Sequence, residues 1–144
     1  MMLSPSLSFT VRGRARPQGS KRLIGKAMVE SSNHVRPWRS DVRSTALDHV
    51  PTDWDLSLPC TVLCIATFYR PKSHFNKSGL KSSAPKYPIS RSIGDSDKLL
   101  RAILDSLTDV IYTDDSYVTT ASFTKRFTTG NEHEQCEISI IQHL

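Results

Sequence analysis

The stretch "GDSDKLLRAILDSLTDVIYTDD", residues 94–115, combines a helical apolar pattern with a high density of acidic residues. From about Asp97 to Thr108, apolar residues recur at the three- and four-residue spacing of one helix face, which predicts an α-helix packed on a core. The predicted stripe is Leu100, Ile103, Leu104 and Leu107. Six of the chain's 14 acidic residues lie in this stretch, although the chain carries 19 lysines and arginines. They are Asp95, Asp97, Asp105, Asp109, Asp114 and Asp115.

The segments on either side of this helix predict strands and one further helix. Alternating or β-branched patterns predict strands in "SLSFTVRG" (6–13), "LSLPCTVLCIATFY" (56–69), "SYVTTASFTKRF" (116–127) and "QCEISIIQHL" (135–144). A short strand or hairpin arm is predicted in "LIGKAMVES" (23–31), with Gly25 as a bulge, and a short extended segment in "VIYTDD" (110–115). "RPWRSDVRSTALDHV" (36–50) predicts a helix whose apolar stripe is Trp38, Val42, Ala46 and either Val50 or Leu47.

This order of elements predicts an α/β (α+β) fold, with a small mixed β-sheet packed against two main helices. A length of 144 residues fits a single domain over residues 1–144. No apolar run reaches the length of a membrane span, and the N-terminus lacks the pattern of a signal peptide, so we expect no membrane association and a cytoplasmic location. Cys60 and Cys64, four residues apart on a predicted strand, point to one face and are expected to be core thiols.

Charge is distributed unevenly along the chain. Residues 1–93 have a net charge of +10 and residues 94–144 a net charge of −5. A strongly positive first part fits either a nucleic-acid partner or a solvated basic surface. Basic residues concentrate in a predicted loop at 14–22 and in a long loop at about 70–93, expected to be flexible, that has no acidic residue. The predicted DNA contacts are Arg14, Arg16, Lys21, Arg22, Lys72, Lys77, Lys81, Lys86 and Lys98.

Two aromatic residues in the long basic loop allow two interpretations. Phe75 and Tyr87 lie among its lysines and arginines. Their rings can stack on nucleic-acid bases, or they can anchor the loop to the body of the domain. Both interpretations remain open at the level of sequence.

The acidic residues form pairs on both sides of the predicted helix: Asp95 and Asp97 precede it, and Asp114 and Asp115 follow it. If the chain doubles back, the two pairs can meet. Carboxylates that face one another repel unless a cation lies between them. A site made only of oxygen ligands suits Mg²⁺ or Mn²⁺, which can polarise a phosphoryl oxygen and activate water.

Structural roles can also explain the individual acidic residues. Asp95, Ser96 or Asp97 can cap the helix, and Asp114 and Asp115 can shape a turn. Asp97, Arg101 and Asp105 lie at i, i+4 and i+8, where surface ion pairs form. The whole arrangement, in a basic chain, favours the metal site.

The acidic stretch resembles the signature of the RusA family of crossover junction endodeoxyribonucleases, the Holliday junction resolvases of phages and prophages. "DSDKLLR" (95–101), "AILDSL" (102–107) and "DDSYV" (114–118) match successive parts of that signature. Further likeness lies in "RGRARPQGSKR" (12–22), "VRPWRSDV" (35–42) and "FYRPKSH" (68–74). The resemblance covers nearly the whole chain.

This resemblance implies a Mg²⁺-dependent enzyme, with Mn²⁺ as an alternative ion, that acts as a homodimer. It implies that Asp95, Asp97 and Asp115 bind the metal, with Asp114 a weaker candidate. Arg101 stands where the family usually has a catalytic lysine and Lys98 where it has asparagine. Arg101 keeps the positive charge, but a guanidinium cannot release a proton near neutral pH.

The predicted function is therefore a Mg²⁺-dependent, structure-selective endonuclease that resolves Holliday junctions and other branched DNA by paired nicks. If a phage encodes the protein, it acts in the host cytoplasm. Two alternatives remain: a metal nuclease that acts on flaps, forks or RNA, and a nucleic-acid-binding protein with weak or no catalysis. The departures at Lys98 and Arg101 keep the second alternative open.

Overall fold

A computed structural model of the chain describes residues 3–19 and 33–144, and the backbone alone of residues 21–24 and 27–30. Within these ranges two α-helices and eight β-strands follow one another along the chain. In chain order they are β1 (Ser6–Arg12), β2 (Lys21–Ile24), β3 (Ala27–Glu30), α1 (Val35–His49), β4 (Cys60–Phe68), β5 (Phe75–Asn76), β6 (Gly79–Leu80), α2 (Ser96–Ser106), β7 (Val118–Phe127) and β8 (Gln135–Gln142).

A four-stranded mixed sheet forms the centre of the fold, with strand order β1-β8-β4-β7. β8 pairs antiparallel with both β1 and β4, whereas β4 and β7 run parallel. Parallel neighbours need a crossover connection, and α2 lies in the segment that makes it. The predicted α/β (α+β) class with a mixed sheet and two helices is confirmed.

β4 is the central apolar strand that the sequence predicted. Cys60, Val62, Cys64 and Ala66 alternate on its buried face, while Leu63 is more than one-third exposed on the other. All three cysteines of the chain are buried and free of disulfides. Burial raises the pKa of the Cys60 thiol, so this group stays protonated, as a core thiol should.

Both helices pack on the sheet through apolar stripes. α1 contacts β1 and α2, and α2 contacts β7 as well. The predicted α1 stripe is confirmed for its first three members and continues at the half-buried Val50, whereas Leu47 is exposed. This packing leaves the opposite side of α2, with its charged residues, open to solvent.

The α2 stripe is broader than the sequence predicted and is shifted by one residue. Leu99, Ala102, Ile103, Ser106 and Leu107 are buried. The other two predicted members, at positions 100 and 104, are only partly buried. The helix packs against both α1 and the sheet, so a wider face is covered than a single stripe provides.

The prediction of an extended segment in "VIYTDD" was wrong. Residues 109–111 form a turn in which Asp109 adopts φ 68° and its N–H donates to the Tyr112 oxygen at 2.7 Å. Asp115–Tyr117 then forms a 3₁₀ turn. Aspartate tolerates the left-handed conformation better than most residues, which lets the chain reverse directly after α2.

The predicted hairpin arm is the antiparallel β2–β3 pair, and Gly25 lies outside the described residues. The long basic loop contains a 3₁₀ turn at Lys72–His74 and the two-residue strands β5 and β6, which pair with each other. These short elements were not predicted. Across residues 3–19 and 33–144, none of the helices has the length and apolar character that crossing a membrane requires.

Candidate active site

Asp95 and Asp97 lie at the N-terminus of α2. Asp95 occupies the N-cap position with extended backbone angles, and Asp97 lies in the first turn. The Asp95 side chain makes no capping hydrogen bond, so helix capping does not explain its carboxylate. Both residues are exposed. Their carboxylates are therefore accessible at the positive end of the helix dipole.

One cleft of about 450 Å³ runs along the charged face of α2. Two of its walls come from different parts of the chain, because the loop after β1 lies beside the helix. Its lining residues are Gln18, Gly19, Asp97, Lys98, Arg101 and Asp105. We call this space the acidic cleft. It brings together Asp97 and Arg101 from the predicted catalytic set, and Lys98 from the predicted DNA contacts.

The loop after β1 is fixed to the start of α2 by backbone contacts. The Gln18 N–H donates to the Lys98 oxygen at 2.9 Å. Gly94 has φ +105°, and a Cβ atom there would lie 2.8 Å from Pro17 Cγ. Only glycine permits this close approach of the loop without strain. The wall of the acidic cleft thus depends on Gly94.

Among the side chains that the structure describes, the charged residues of the acidic cleft form no ion pairs. In the part of the chain whose side chains are described, the ion pairs are Arg14–Glu134 and Arg126–Glu132. The possible surface pairs of Arg101 with Asp97 and Asp105 do not form within 4 Å. A cleft that holds uncompensated carboxylates beside a guanidinium is suited to a cation and a phosphate together.

The turn that precedes the second acidic pair is held against α2 by Tyr112. Its hydroxyl donates to the Leu104 oxygen at 2.7 Å, which holds the turn after α2 against the helix. Burial raises the pKa of Tyr112 above its ordinary value, and the nearby Cys60, Asp115 and Asp105 raise it further. Tyr112 thus joins the turn after α2 to the backbone of the helix.

Asp114 and Asp115 differ in their roles. A carboxylate oxygen of Asp114 accepts a hydrogen bond from the Ser116 N–H at 2.8 Å and caps the 3₁₀ turn. The hydrogen bonds from Ser116 hold the pKa of the Asp114 carboxyl below its ordinary value. Asp115 is exposed and makes no such cap. Asp114 therefore shapes the turn, as the structural alternative for this residue predicted, and its weaker metal role stays a prediction.

The donor set fits a hard divalent cation. Asp95, Asp97 and Asp115 offer carboxylate oxygens that are exposed to solvent. Among side chains that the structure describes, no group of three His, Cys, Asp or Glu residues is gathered tightly enough to form a metal site by itself. Mg²⁺ is usually held by one or two carboxylates together with water and substrate phosphates. The metal roles of these residues stay a prediction.

A second cleft, of about 420 Å³, adjoins the acidic cleft because Asp105 lines both. Its other lining residues are Arg36, Arg39, Ser40, Arg43 and Ser106. The Arg43 guanidinium donates to the Thr108 oxygen at 2.7 Å, which ties α1 to the end of α2. The three arginines present a basic helix face next to the carboxylates.

The predicted DNA contacts fall into three groups. Arg14 and Arg16 lie in the loop beside the acidic cleft, and Lys98 lines that cleft. Lys72, Lys77 and Lys86 are exposed in the long basic loop, where Lys81 is half-buried. The side chains of Lys21 and Arg22 lie outside the described residues. Contact with DNA stays a prediction for all nine.

Several residues of this region were missed by the sequence interpretation. Gln18 and Gly19 fall within the family-like stretch at 12–22, but their place in the lining of the acidic cleft follows only from the tertiary path of their loop. Lys125 on β7 donates to the Gly94 oxygen at 3.1 Å, a contact between distant parts of the chain. The arginines of α1 were recognisable from their three- and four-residue spacing on one helix face.

Comparison with known proteins identifies a family. The model of the family described as Endodeoxyribonuclease RusA matches residues 9–140, which is nearly the whole chain. No curated relative matches the chain. The matched range contains every residue of the acidic cleft and every predicted DNA contact.

Proposed function

The chain belongs to the RusA endodeoxyribonuclease family, and on that premise we propose that it cleaves the backbone of branched DNA, four-way junctions above all. The observation that carries this proposal is the acidic cleft. It holds Asp97, Asp105 and Arg101 side by side without ion pairs between them. The basic helix face of α1 and the basic loop after β1 adjoin it, so a polyanion can be drawn to carboxylates that would otherwise repel it.

Asp95, Asp97 and Asp115 are proposed to hold Mg²⁺, or Mn²⁺ in its place. When bound, such an ion supplies a Lewis acid for the phosphoryl oxygen and promotes ionisation of the attacking water. Asp95 and Asp97 project from the start of α2, and Tyr112 fixes the turn that returns the chain to Asp115. We propose that these two segments direct their carboxylates towards one phosphate.

Arg101 is proposed to stabilise the charge that builds on the phosphate oxygens during attack. It lies one helical turn after Asp97 and lines the same cleft. A fixed cation lowers the barrier when it interacts more strongly with the transition state than with the bound substrate. Lys98 also lines the cleft and adds a second positive charge near the phosphate.

The DNA backbone is proposed to follow the basic surfaces on both sides of the acidic cleft. Arg36, Arg39 and Arg43 present one such surface on α1, and Arg14 and Arg16 present another in the loop after β1. Phosphate contacts of this kind position the duplex but carry no base information. Affinity should therefore fall steeply with salt.

A homodimer is proposed from the symmetry of the substrate. A four-way junction is two-fold symmetric, and its resolution requires one nick in each of two opposed strands. Two identical subunits related by a two-fold axis place one acidic cleft at each strand. Light scattering of the protein–junction complex tests this proposal. A complex that contains one protein chain per junction would contradict it.

Cleavage of synthetic DNA tests the proposed function. A four-way junction, a replication fork, a flap and a linear duplex of matched sequence are incubated with Mg²⁺ or with a chelator. We expect paired nicks in the junction with Mg²⁺, none with the chelator, and little cutting of the duplex. Stronger cleavage of the flap or fork would favour the alternative nuclease. Junction binding without any cleavage in Mg²⁺ or Mn²⁺ would favour the non-catalytic alternative.

A further inference from the structure

The long basic loop and the residue before it leave several large apolar side chains exposed. Tyr87 is 65% exposed and Phe75 is 46% exposed, so neither ring is buried in the body of the domain. This answers the question that the sequence left open, because an anchoring ring would be covered. Single exposed apolar residues are ordinary, but a contiguous patch marks a binding surface. The patch consists of Tyr69, Phe75, Leu80, Tyr87 and Ile89.

These side chains line two adjoining clefts. The clefts have volumes of about 760 and 670 Å³, within the roughly 300–1,000 Å³ typical of small-molecule sites. Both are lined by Tyr69, Arg70, Tyr87 and Phe127. We call the pair the aromatic cleft. Its size suits a planar ring system rather than a whole duplex.

The floor of the aromatic cleft is held in place by several contacts. The Arg70 guanidinium lies over the Phe127 ring at 4.2 Å and donates to the Pro85 oxygen at 2.8 Å. The His74 ring meets the same Phe127 ring edge-on at 5.5 Å. The Lys81 N–H donates to the His74 oxygen at 2.9 Å. These contacts order the segment before any ligand binds.

The charge of the aromatic cleft selects an anionic ligand. Lys86 and Arg16 line it in addition to Arg70, and none of its lining residues carries a carboxylate. Exposed aromatic rings among cations are the features that proteins use to bind unpaired nucleotides, since the rings stack on bases and the cations meet phosphates. The chemical class that fits is therefore a nucleotide with its base unstacked.

The aromatic cleft lies next to the acidic residues. Ile93 lines it, and Asp95 follows two residues later. Arg16 lines it as well, while Gln18 lines the acidic cleft. Two residues of fully extended chain span at most about 7 Å. The edge of the aromatic cleft at Ile93 thus lies within about 7 Å, Cα to Cα, of Asp95, which precedes the acidic-cleft residue Asp97 by two positions.

We propose that the aromatic cleft binds an unpaired nucleobase beside the cleaved phosphate, with Tyr87 as its main stacking surface. This inference rests on the proposed function and deepens it. The free energy needed to remove a base from the stack is lowest where base pairing is already interrupted. Bases at a branch point meet that condition, whereas bases inside a linear duplex do not. The cleft would thereby favour branched over linear DNA.

Binding measured without cleavage tests this role of Tyr87. Junction and duplex affinities are compared in a chelator, over a range of salt, for wild type, Tyr87→Ala, Tyr87→Phe and Phe75→Ala. Leu47→Ala is the control, since Leu47 is 53% exposed on α1, outside the lining of the clefts. We expect Tyr87→Ala to weaken junction binding by roughly five- to a hundredfold, the range for one lost stacking contact.

The salt dependence of junction affinity and the affinity for linear duplex distinguish a loss of stacking from a loss of charge. Loss of stacking should leave the dependence of affinity on salt unchanged, because no phosphate contact is removed. Duplex affinity should also be unchanged, Tyr87→Phe should match wild type, and Phe75→Ala should show a smaller loss of the same kind. Equal losses for junction and duplex, a shallower salt slope, or a Tyr87→Ala protein with wild-type affinity would overturn the inference.

Failure of this inference can be told from failure of the proposed function. If the wild-type protein binds and cuts junctions in Mg²⁺ and Tyr87→Ala binds them equally well, only the role of the aromatic cleft is wrong. If the wild-type protein neither prefers nor cuts branched DNA, the proposed function is wrong, and with it the inference.

Discussion

The ammonium group of Lys125 donates a hydrogen bond to the backbone oxygen of Gly94 at 3.1 Å. Lys125 lies half-buried on β7, and Gly94 directly precedes Asp95. A cation from the sheet thus fixes the start of α2, where two of the proposed metal ligands lie. The contact joins residues that are far apart in sequence but adjacent at the site.

The first prediction is that Lys125→Met slows cleavage without weakening junction binding. The variant removes the bond that fixes Gly94 and the charge near Asp95. A shift of about 1 Å in a catalytic group can cost about a hundredfold in rate, so we expect a loss of roughly ten- to a hundredfold in single-turnover rate. Lys125→Arg should restore much of the rate. A purely structural role would instead lower the thermal midpoint of both variants and leave their rates similar.

The second prediction concerns the close approach of Gly94 to Pro17. Gly94→Ala should lower the free energy of unfolding, measured in urea, by about 1–3 kcal/mol beyond its control. The control is Gly79→Ala, because Gly79 has nearly the same φ, +114°, but nothing within 4 Å of an added Cβ. Pro17→Ala should recover part of the loss, since it removes the ring that clashes. Equal losses at the two glycines would show that the Pro17 contact is unimportant.

The third prediction is that Arg101→Ala lowers the single-turnover rate on a saturated junction by about a hundredfold or more, the scale of one lost transition-state donor. Junction affinity should change little, and Arg101→Lys should keep much of the activity or exceed it. Arg12, exposed at the end of β1, provides the matched alanine control. A loss below about threefold would assign Arg101 a surface role worth at most about 1 kcal/mol of stability.

The fourth prediction concerns the lysines of the long basic loop. Neutralising Lys77, Lys81 and Lys86 together should weaken junction binding and flatten its dependence on salt, by about 0.9 in slope for each lost phosphate contact. Lys77 and Lys86 are exposed, and Lys81 is half-buried, so we expect the first two to contribute most. An unchanged slope would mean that this loop does not touch the backbone. Titrations of junction binding over a range of salt concentrations measure this slope.

Periodicity predicted most of the long elements of this fold. α1, β1, β4 and β8 follow their apolar patterns, because each buries one face against a single core. β7 is a strand as predicted, but it lies at the sheet edge and buries only Phe127, with Val118 and Phe123 partly covered. The strand order and the parallel β4–β7 pair were not predicted, since pairing between distant strands leaves no local signal. The turn at Asp109 was missed for a different reason: its apolar neighbours resemble a strand, and only a positive φ reveals the reversal.

The sequence predicted the types of residue in the candidate site better than it predicted their arrangement in space. Helical spacing predicted that Asp97 and Arg101 lie on one face of α2, and both line the acidic cleft. The catalytic role of Arg101 came from the family resemblance and stays a prediction. The walls supplied by Gln18, Gly19 and the α1 arginines depend on tertiary packing. The contact of Lys125 with Gly94 depends on it too. Exposure of Tyr87, likewise, follows from the fold of the long loop and not from its composition.

The most direct test of the proposed metal site is single-turnover cleavage of a saturated four-way junction by Asp97→Asn in Mg²⁺. Asp53→Asn, exposed and outside the clefts, serves as the control. Loss of the carboxylate should abolish cleavage while junction binding stays as tight or becomes tighter, since one negative charge near the phosphates is removed. The Asp53 control should cut at the wild-type rate. Cleavage by Asp97→Asn at the wild-type rate would contradict the account.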